Sequence, residues 1–135
     1  MSVKQLILGL LVCLPIGAFA VPQWIIASKS NESITYLDLN SISQVTDYSY
    51  SHYKKAWFKH VIYNDISKDG KTVGDYTMSL DWINCSGNSS GTKQIISYKK
   101  NGQIIPNSSR SRSYVNMEEV IPGTVGESML DAVCK

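Results

Sequence analysis

Lysine and aromatic side chains are interleaved in the middle of this sequence, a combination that can bind negatively charged partners. Ammonium groups attract anions, and aromatic rings supply apolar contact area and can hold a cation against their faces. One group of basic residues lies in a single segment, and a second surrounds the dipeptide Asn101-Gly102. The candidate binding residues selected on this basis are Lys54, Lys55, Trp57, Lys59, Lys93, Lys99, Lys100, Arg110 and Arg112. Such a set predicts acidic polymers, haem propionates or acidic protein segments as ligands.

The same lysines also have a purely structural explanation. Charged residues on edge strands prevent sheets from joining edge to edge. The formal net charge is only +2, and the sequence contains no recognised nucleic-acid-binding module. We therefore expect no nucleic acid partner.

The two histidines, His52 and His60, are the candidate ligands for haem. Their even spacing predicts that they share one face of a strand, about 26 Å apart along its length. At that distance they cannot ligate one metal ion within a single chain. Haem capture through His52, His60 or a tyrosine remains one hypothesis, and we expect no other cofactor and no metal.

One loop imitates two ion-binding motifs. The Gly-Lys-Thr at 70–72 lacks the earlier glycine that a phosphate-binding loop needs, because Asp65 stands in its place. Asp65, Ser67 and Asp69 alternate as in the first half of a calcium loop, but its twelfth position is Tyr76 instead of glutamate. We interpret the segment as a hairpin loop, and the sequence leaves weak calcium binding open.

No catalytic arrangement is recognisable in the sequence. Residues 87–91 match the pattern Gly-x-Ser-x-Gly, but they lie in a Ser/Gly/Asn loop between two predicted strands and not at the strand-to-helix elbow of serine hydrolases. The carboxylates lie mainly in predicted loops and in the C-terminal helix. A pair of carboxylates within the strands, which acid–base catalysis would favour, is not evident. We therefore expect a protein that is not an enzyme.

The N-terminus has the layout of a secretory signal peptide over residues 1–20. Lys4 precedes an apolar run from Leu6 to Leu14, and the segment ends in Ala18-Phe19-Ala20. The run is too short to span a membrane, and no comparable run follows it. We expect residues 21–135 to form a single exported domain without a transmembrane segment, in the periplasm or at the outer-membrane surface.

Cys85 and Cys134 are expected to form one disulfide. An even pair of cysteines in an exported chain is most simply a bridge, and Cys13 falls within the signal segment. A metal pair or reactive thiol is less well supported, because the sequence has no CxxC spacing and no histidine near these cysteines.

The dominant hydrophobic period is two, which predicts a β-rich fold. Around Trp57 apolar residues occupy both alternating sets, so that strand should be covered on both faces. Another strand places apolar residues on one side and Thr77, Ser79 and Asp81 on the other, so the apolar side should face the core. The expected strands are 24–27, 34–39, 48–63, 76–85 and 92–98, with a return strand from 103 after the hairpin signal Asn101-Gly102.

The C-terminus changes to a helical period. Thr124 and Glu127 have the spacing of a capping box, and Val125, Met129 and Val133 recur on one helix face. The predicted fold class is α+β. It is an antiparallel, meander-like sheet of about five or six strands, with a short C-terminal helix packed on it and pinned by the disulfide.

Several short segments of the mature chain together match a known family. They are Trp24, Tyr36-Leu37-Asp38-Leu39-Asn40-Ser41-Ile42, Lys55-Ala56-Trp57, Cys85, Ile121-Pro122-Gly123-Thr124 and Leu130-Asp131-Ala132-Val133-Cys134. In these segments the chain resembles the surface-adhesin protein E family of Gram-negative bacteria, over essentially all of residues 21–135. The resemblance implies an antiparallel sheet with a packed helix, a tendency to dimerise, and binding of host extracellular-matrix proteins and haem. The chain departs from an anchored adhesin because it lacks a lipoprotein cysteine.

The functional prediction is a small exported binding module that resembles this adhesin family and is not an enzyme. Its expected partners are host extracellular-matrix proteins. A homodimer is also expected, because one helix would not readily cover the apolar residues on both sides of Trp57. The alternative is a periplasmic envelope protein or inhibitor that acts through protein–protein contacts, or a haem-binding protein.

Overall fold

The computed structural model describes residues 20–47 and 49–135. The predicted signal peptide, apart from Ala20, lies outside the described residues, as does Tyr48 at the start of the expected strand 48–63. The elements are β1 Trp24–Lys29, β2 Ser33–Asp38, β3 Ser43–Gln44, β4 Lys54–Ile62, β5 Tyr76–Asn84, β6 Ser89–Tyr98, β7 Arg110–Ser111, β8 Glu118–Glu119 and α1 Val125–Cys134, with a short 3₁₀-helix Leu39–Ser41 between β2 and β3.

All paired strands are antiparallel and form one sheet in the order β1-β2-β4-β5-β6-β7, with β3 beside β4 and β8 beside β6. This order confirms the predicted meander. The described residues form eight strands, so the expectation of about five or six was wrong. The additional strands β3, β7 and β8 have two residues each, too few to produce a period in the sequence.

The Asn101-Gly102 turn forms, with Gly102 at a φ of 89°, but it does not lead into a full return strand. Only one isolated bridge, between Tyr98 and Ile104, follows it. Pro106 stands two residues later and has no N–H to donate to a ladder, which explains why pairing stops there.

Helix α1 packs on one side of the sheet, which we call the helix-side face. The core between them is formed by Leu37, Ala56, Phe58, Ile83, Val120, Leu130 and Val133. The predicted capping residues act at the start of α1. Thr124 Oγ1 accepts a hydrogen bond from the Glu127 N–H at 3.4 Å, and the Glu127 carboxylate accepts one from the N–H of Gly123, the residue before the N-cap. The predicted disulfide is also confirmed, with a Cα–Cα distance of 5.7 Å between Cys85 and Cys134.

The expected orientation of β5 was wrong for most of the strand, and of its apolar side only Trp82 is buried in a core. Ser79 and Asp81 pair with Phe58 and Ala56, so they share the helix-side face and are only 3% and 5% exposed. The apolar set Tyr76, Met78 and Leu80 is half-buried and lies on the opposite face. The polar set is tolerated beneath the helix because its members bond to one another, as described below.

A second, smaller core covers one end of the opposite face. It consists of Val45, Trp82 and Val115, with Tyr50, Tyr53 and Met117 packed against it. Gly91 faces Trp82 across the β5–β6 pair, and a Cβ at this glycine would lie 2.4 Å from the carbonyl oxygen of Asn116. Because Gly91 has no side chain, the segment around Asn116 can pack closely against β6 and place Val115 against Trp82.

Candidate binding surface and the cavity beneath the helix

The side of the sheet opposite α1, which we call the open face, carries a continuous group of half-buried aromatic and aliphatic residues. Cross-strand pairing produces two rows at its centre, Tyr36-Lys59-Met78-Ile96 and Trp57-Leu80-Gln94. Within the described residues no helix packs on this face, since α1 lies on the other side. The expectation that the strand around Trp57 would be covered on both faces was wrong at this position. The helix covers the side of Phe58, whereas Trp57 on the open face is only half-buried.

Three candidate lysines lie on the open face together with Trp57. Lys55 and Lys59 alternate with Trp57 along β4, and the Lys59 ammonium lies 4.4 Å from the centroid of the Tyr76 ring. A β-bulge between β5 and β6 leaves Lys93 without a partner residue. The Lys93 ammonium lies 5.7 Å from the centroid of the Trp82 ring. The bulge therefore adds a third cation to this face.

The remaining candidate cations lie elsewhere. Lys54 pairs with Ile83, so it faces the helix side. Lys99 and Lys100 hold Asp75, whose carboxylate lies 3.3 Å from the Lys99 ammonium and accepts the Lys100 N–H at 3.0 Å. The Thr72 N–H, the Lys100 N–H and the Lys99 ammonium hold the pKa of the Asp75 carboxyl below its ordinary value. We infer that these two lysines stabilise the end of the sheet.

The two arginines, Arg110 and Arg112, lie at the β7 edge of the sheet, opposite the β1 edge. Arg110 pairs with Ile95 in the short β6–β7 contact, and Arg112 lines a cavity on the helix side. The structure thus brings together Lys55, Trp57, Lys59 and Lys93 on one face and separates them from the other five candidates.

His60 lies in a buried polar chain. Its Nδ1 is 2.9 Å from Thr35 Oγ1, and its Nε2 is 3.2 Å from Ser79 Oγ. Burial, with a contribution from the positive charge of Lys71, lowers the pKa of His60 below its ordinary value. Because both ring nitrogens make hydrogen bonds, His60 does not fit the role of a haem ligand.

His52 is placed differently from the sequence prediction. It precedes β4, which begins at Lys54, so the expectation that both histidines share a strand face was wrong. The ring of His52 is exposed and lies 4.2 Å from the ring centroid of Tyr53. Haem capture by His52 or by a tyrosine stays a prediction.

The loop that imitates a calcium site uses its carboxylates internally. Asp65 and Asp69 accept backbone N–H groups of Lys68 and Lys71, each at 3.2 Å. Over residues 20–47 and 49–135, no cluster of three His, Cys, Asp or Glu side chains is placed to hold a metal ion.

A cavity of about 550 Å³ lies between α1, the segment around β8 and the helix-side face. Asp81 lines it, and Ser79 Oγ donates to Asp81 Oδ2 at 3.1 Å. Asp81 Oδ1 is buried without a hydrogen-bond partner among the described residues. Burial raises the pKa of the Asp81 carboxyl to about 6, although the hydroxyl groups of Thr92 and Ser79 oppose the shift. The sequence prediction missed this residue because it placed Asp81 on a solvent-facing side.

Comparison with known proteins gave one finding. The family model for surface-adhesin protein E matches residues 24–135, from the start of β1 to the residue after α1. Searches of curated proteins and of solved structures gave no significant match. In the described part of the chain, every helix is too short or too polar to cross a membrane.

Proposed function

We propose that this chain, which belongs to the surface-adhesin protein E family, binds host extracellular-matrix proteins through the open face of its sheet. Family membership supports the broader statement that it is an adhesin-like surface protein with host partners. One observation carries the finer proposal, namely the half-buried aromatic and aliphatic rows of the open face, which include Lys59 and have Lys55 and Lys93 beside them. Large apolar patches of this kind on a soluble domain typically mark interaction sites.

The charges on the open face favour an acidic partner. The two central rows contain a lysine and no carboxylate, and Lys55 and Lys93 extend the positive charge toward Trp82. Lysine stems cover apolar surface while their ammonium groups stay in water, so the same face can bind apolar and anionic groups together. Acidic protein segments and sulfated polysaccharides combine these properties.

Replacing Lys55, Lys59 and Lys93 together with glutamine is expected to weaken binding to heparin, vitronectin and laminin by about tenfold or more. Each partly exposed charge contact contributes up to about 1 kcal/mol, and three are removed. Surface plasmon resonance at about 0.15 M salt, where distant charges are screened, would measure the change.

The matched control neutralises three cations that lie away from the open face, Lys54, Arg110 and Arg112. It removes the same total charge, so a purely long-range effect would weaken binding equally. We expect this control to keep most of the affinity. Equal losses in the two triple variants, or no loss in the first, would contradict the proposed surface.

The proposed compartment is the periplasm or the outer-membrane surface of a Gram-negative bacterium. Two observations support export, the signal-peptide pattern of residues 1–20 and the bridge between Cys85 and Cys134. Disulfides persist in oxidising compartments and are rare in the cytosol.

We also propose that the protein is not an enzyme. A periplasmic envelope protein or inhibitor, the alternative function, would use the same open face for protein contacts.

We further propose that two copies pair through the apolar part of the open face, so that pairing and ligand binding compete for this face. Trp57, Met78, Leu80 and Ile96 lie in adjacent rows and are only half-buried, so pairing would remove apolar area from water. Light scattering at micromolar concentration should give twice the mass of one chain, and Trp57→Asp should reduce it to that of one chain. The triple lysine variant keeps this apolar group, so it should lower ligand binding without changing the mass. A wild-type protein with the mass of one chain would refute pairing.

A further inference from the structure

We infer that the cavity beneath α1 binds a small alkylammonium ligand, an apolar chain that ends in a protonated primary amine. At about 550 Å³ the cavity lies within the range of about 300 to 1,000 Å³ that small-molecule sites occupy. It lies on the helix side of the sheet, so it is separate from the open face and independent of the function proposed there.

The apolar walls of the cavity suit a hydrocarbon chain. Ile83 of β5 lines it on the sheet side, Met129 and Leu130 line it from α1, and Val120 and Ile121 line it from the segment between β8 and the helix. Gly126, in the first turn of α1, leaves room on the helix side because it has no side chain. A ligand of a few methylene groups would exchange water for these contacts.

Asp81 defines the polar end of the ligand. A buried carboxylate oxygen without a partner is costly, and native structures rarely leave one unpaired. Asp81 Oδ1 is in this position, while Ser79 donates to Oδ2 and the Thr92 hydroxyl also favours the charged carboxylate. An ammonium group brought by a ligand would donate a hydrogen bond to Oδ1 and compensate its negative charge.

The charges around the mouth of the cavity favour a cation over an anion. Glu118 and Glu119 line it from β8, and Arg112 is the one positively charged residue among the described residues that line it. The N-terminus of α1 also borders the cavity, but Thr124 and the Glu127 carboxylate already cap it. A carboxylate ligand would meet three acidic side chains and would be repelled.

The binding should strengthen as the pH rises from 5 to 7.5. Burial raises the pKa of the Asp81 carboxyl to about 6, so the carboxylate that attracts the ammonium forms within this interval. The other ionisable groups near Asp81 are His60, which reaches it through Ser79, and the lining residues Arg112, Glu118 and Glu119. The α1 residues that line the cavity, Gly126, Met129 and Leu130, carry no charge.

The test titrates n-hexylamine into the disulfide-bonded protein at pH 7.5 and follows amide shifts by NMR. Hexanol and hexanoate have the same chain with a neutral or negative end and serve as matched probes. We expect saturable shifts at residues around the cavity with hexylamine, and at least about tenfold weaker binding of hexanol and hexanoate. Asp81→Asn should weaken hexylamine binding by a similar factor.

A second variant separates loss of binding from loss of structure. A Cβ at Gly126 would make only ordinary contacts, the nearest at 3.5 Å to Thr124 Oγ1, so Gly126→Leu can fill the cavity while Asp81 remains. It should abolish hexylamine binding and keep the native spectrum elsewhere. The inference is overturned if hexylamine gives no saturable shifts, if hexanol binds as tightly, or if either folded variant binds like the wild type.

Discussion

Replacing Cys85 and Cys134 together with serine is expected to lower the free energy of unfolding by about 4 kcal/mol. The bridge joins residues 49 positions apart, and an open chain of this length gains that much conformational entropy in the unfolded state. Guanidinium denaturation of the double variant, compared with the oxidised wild type, measures the difference. Because small domains are only marginally stable, this loss is a large fraction of the total stability.

The loss should be concentrated at the C-terminus. Helix α1 has ten residues, too few for a stable helix in isolation, so it depends on packing by Leu130 and Val133 and on the bridge at its last residue. Amide hydrogen exchange in α1 should therefore accelerate more than exchange in β4 and β5. Reduction of the wild type should reproduce the effect, whereas Ser86→Ala, next to the bridge, should not. A loss below about 1 kcal/mol would show that packing alone holds the helix.

The parts of the fold that the sequence predicted correctly are those with local signals. The capping residues Thr124 and Glu127 and the spacing of Val125, Met129 and Val133 identify α1, and two cysteines in an exported chain identify the bridge. The meander follows from alternation and short turns. The helix and the turns depend on neighbouring residues, and the bridge follows from the presence of one cysteine pair after residue 20. All of these can be predicted without knowing which elements pack together.

The orientation of β5 depends on long-range packing, yet one residue carried the needed signal. Cys85 continues the alternate set of Ser79 and Asp81, and it bonds to the last residue of α1. The side of the strand that carries Cys85 must therefore face the helix, although it is the more polar side. Hydrophobicity alone predicted the reverse, because the hydrogen bonds that satisfy Ser79 come from His60, on another strand.

The open-face group of lysines was only partly predictable. Lys55 and Lys59 share a face with Trp57 because all three lie at alternate positions of one strand. Lys93 joins them through a β-bulge, whose position depends on how β5 and β6 pair. The separation of Lys99 and Lys100 results from their contacts with Asp75, which is distant in sequence.

Replacing Asp81 with asparagine is expected to raise the free energy of unfolding at pH 7.5 by about 1 to 3 kcal/mol. A pKa of about 6 in the folded protein, against an ordinary value of 3.8, corresponds to a cost of about 3 kcal/mol for keeping the carboxylate ionised. Asparagine removes the charge and can still accept the hydrogen bond from Ser79, but its amide group needs an acceptor, which reduces the gain. Urea denaturation at several pH values measures the effect.

The pH dependence of this gain identifies its cause. Because the folded state raises the pKa of Asp81, it binds the proton more tightly than the unfolded chain, so the wild type should regain stability as the pH falls from about 6 to about 4. His60 has the opposite effect, since its lowered pKa makes folding less favourable once the pH falls below about 6.5. Comparing Asp81→Asn with the wild type at each pH largely cancels the contribution of His60, and the difference should become small at pH 4.

The control for Asp81→Asn is Asp69→Asn, since Asp69 is exposed and backbone N–H and ammonium groups of Lys71 lower its pKa. This substitution should not stabilise the protein at pH 7.5. The prediction is contradicted if Asp81→Asn lowers the free energy of unfolding, or raises it as much at pH 4 as at pH 7.5. Either result would show that ionisation of the buried carboxylate does not destabilise the fold.

If Asp81→Asn is more stable than the wild type at pH 7.5, the wild type keeps a destabilising charge at the position where the cavity would hold an ammonium group. Hexylamine should then raise the free energy of unfolding of the wild type in urea, because a ligand stabilises only the state that binds it. It should leave the free energy of unfolding of Asp81→Asn nearly unchanged.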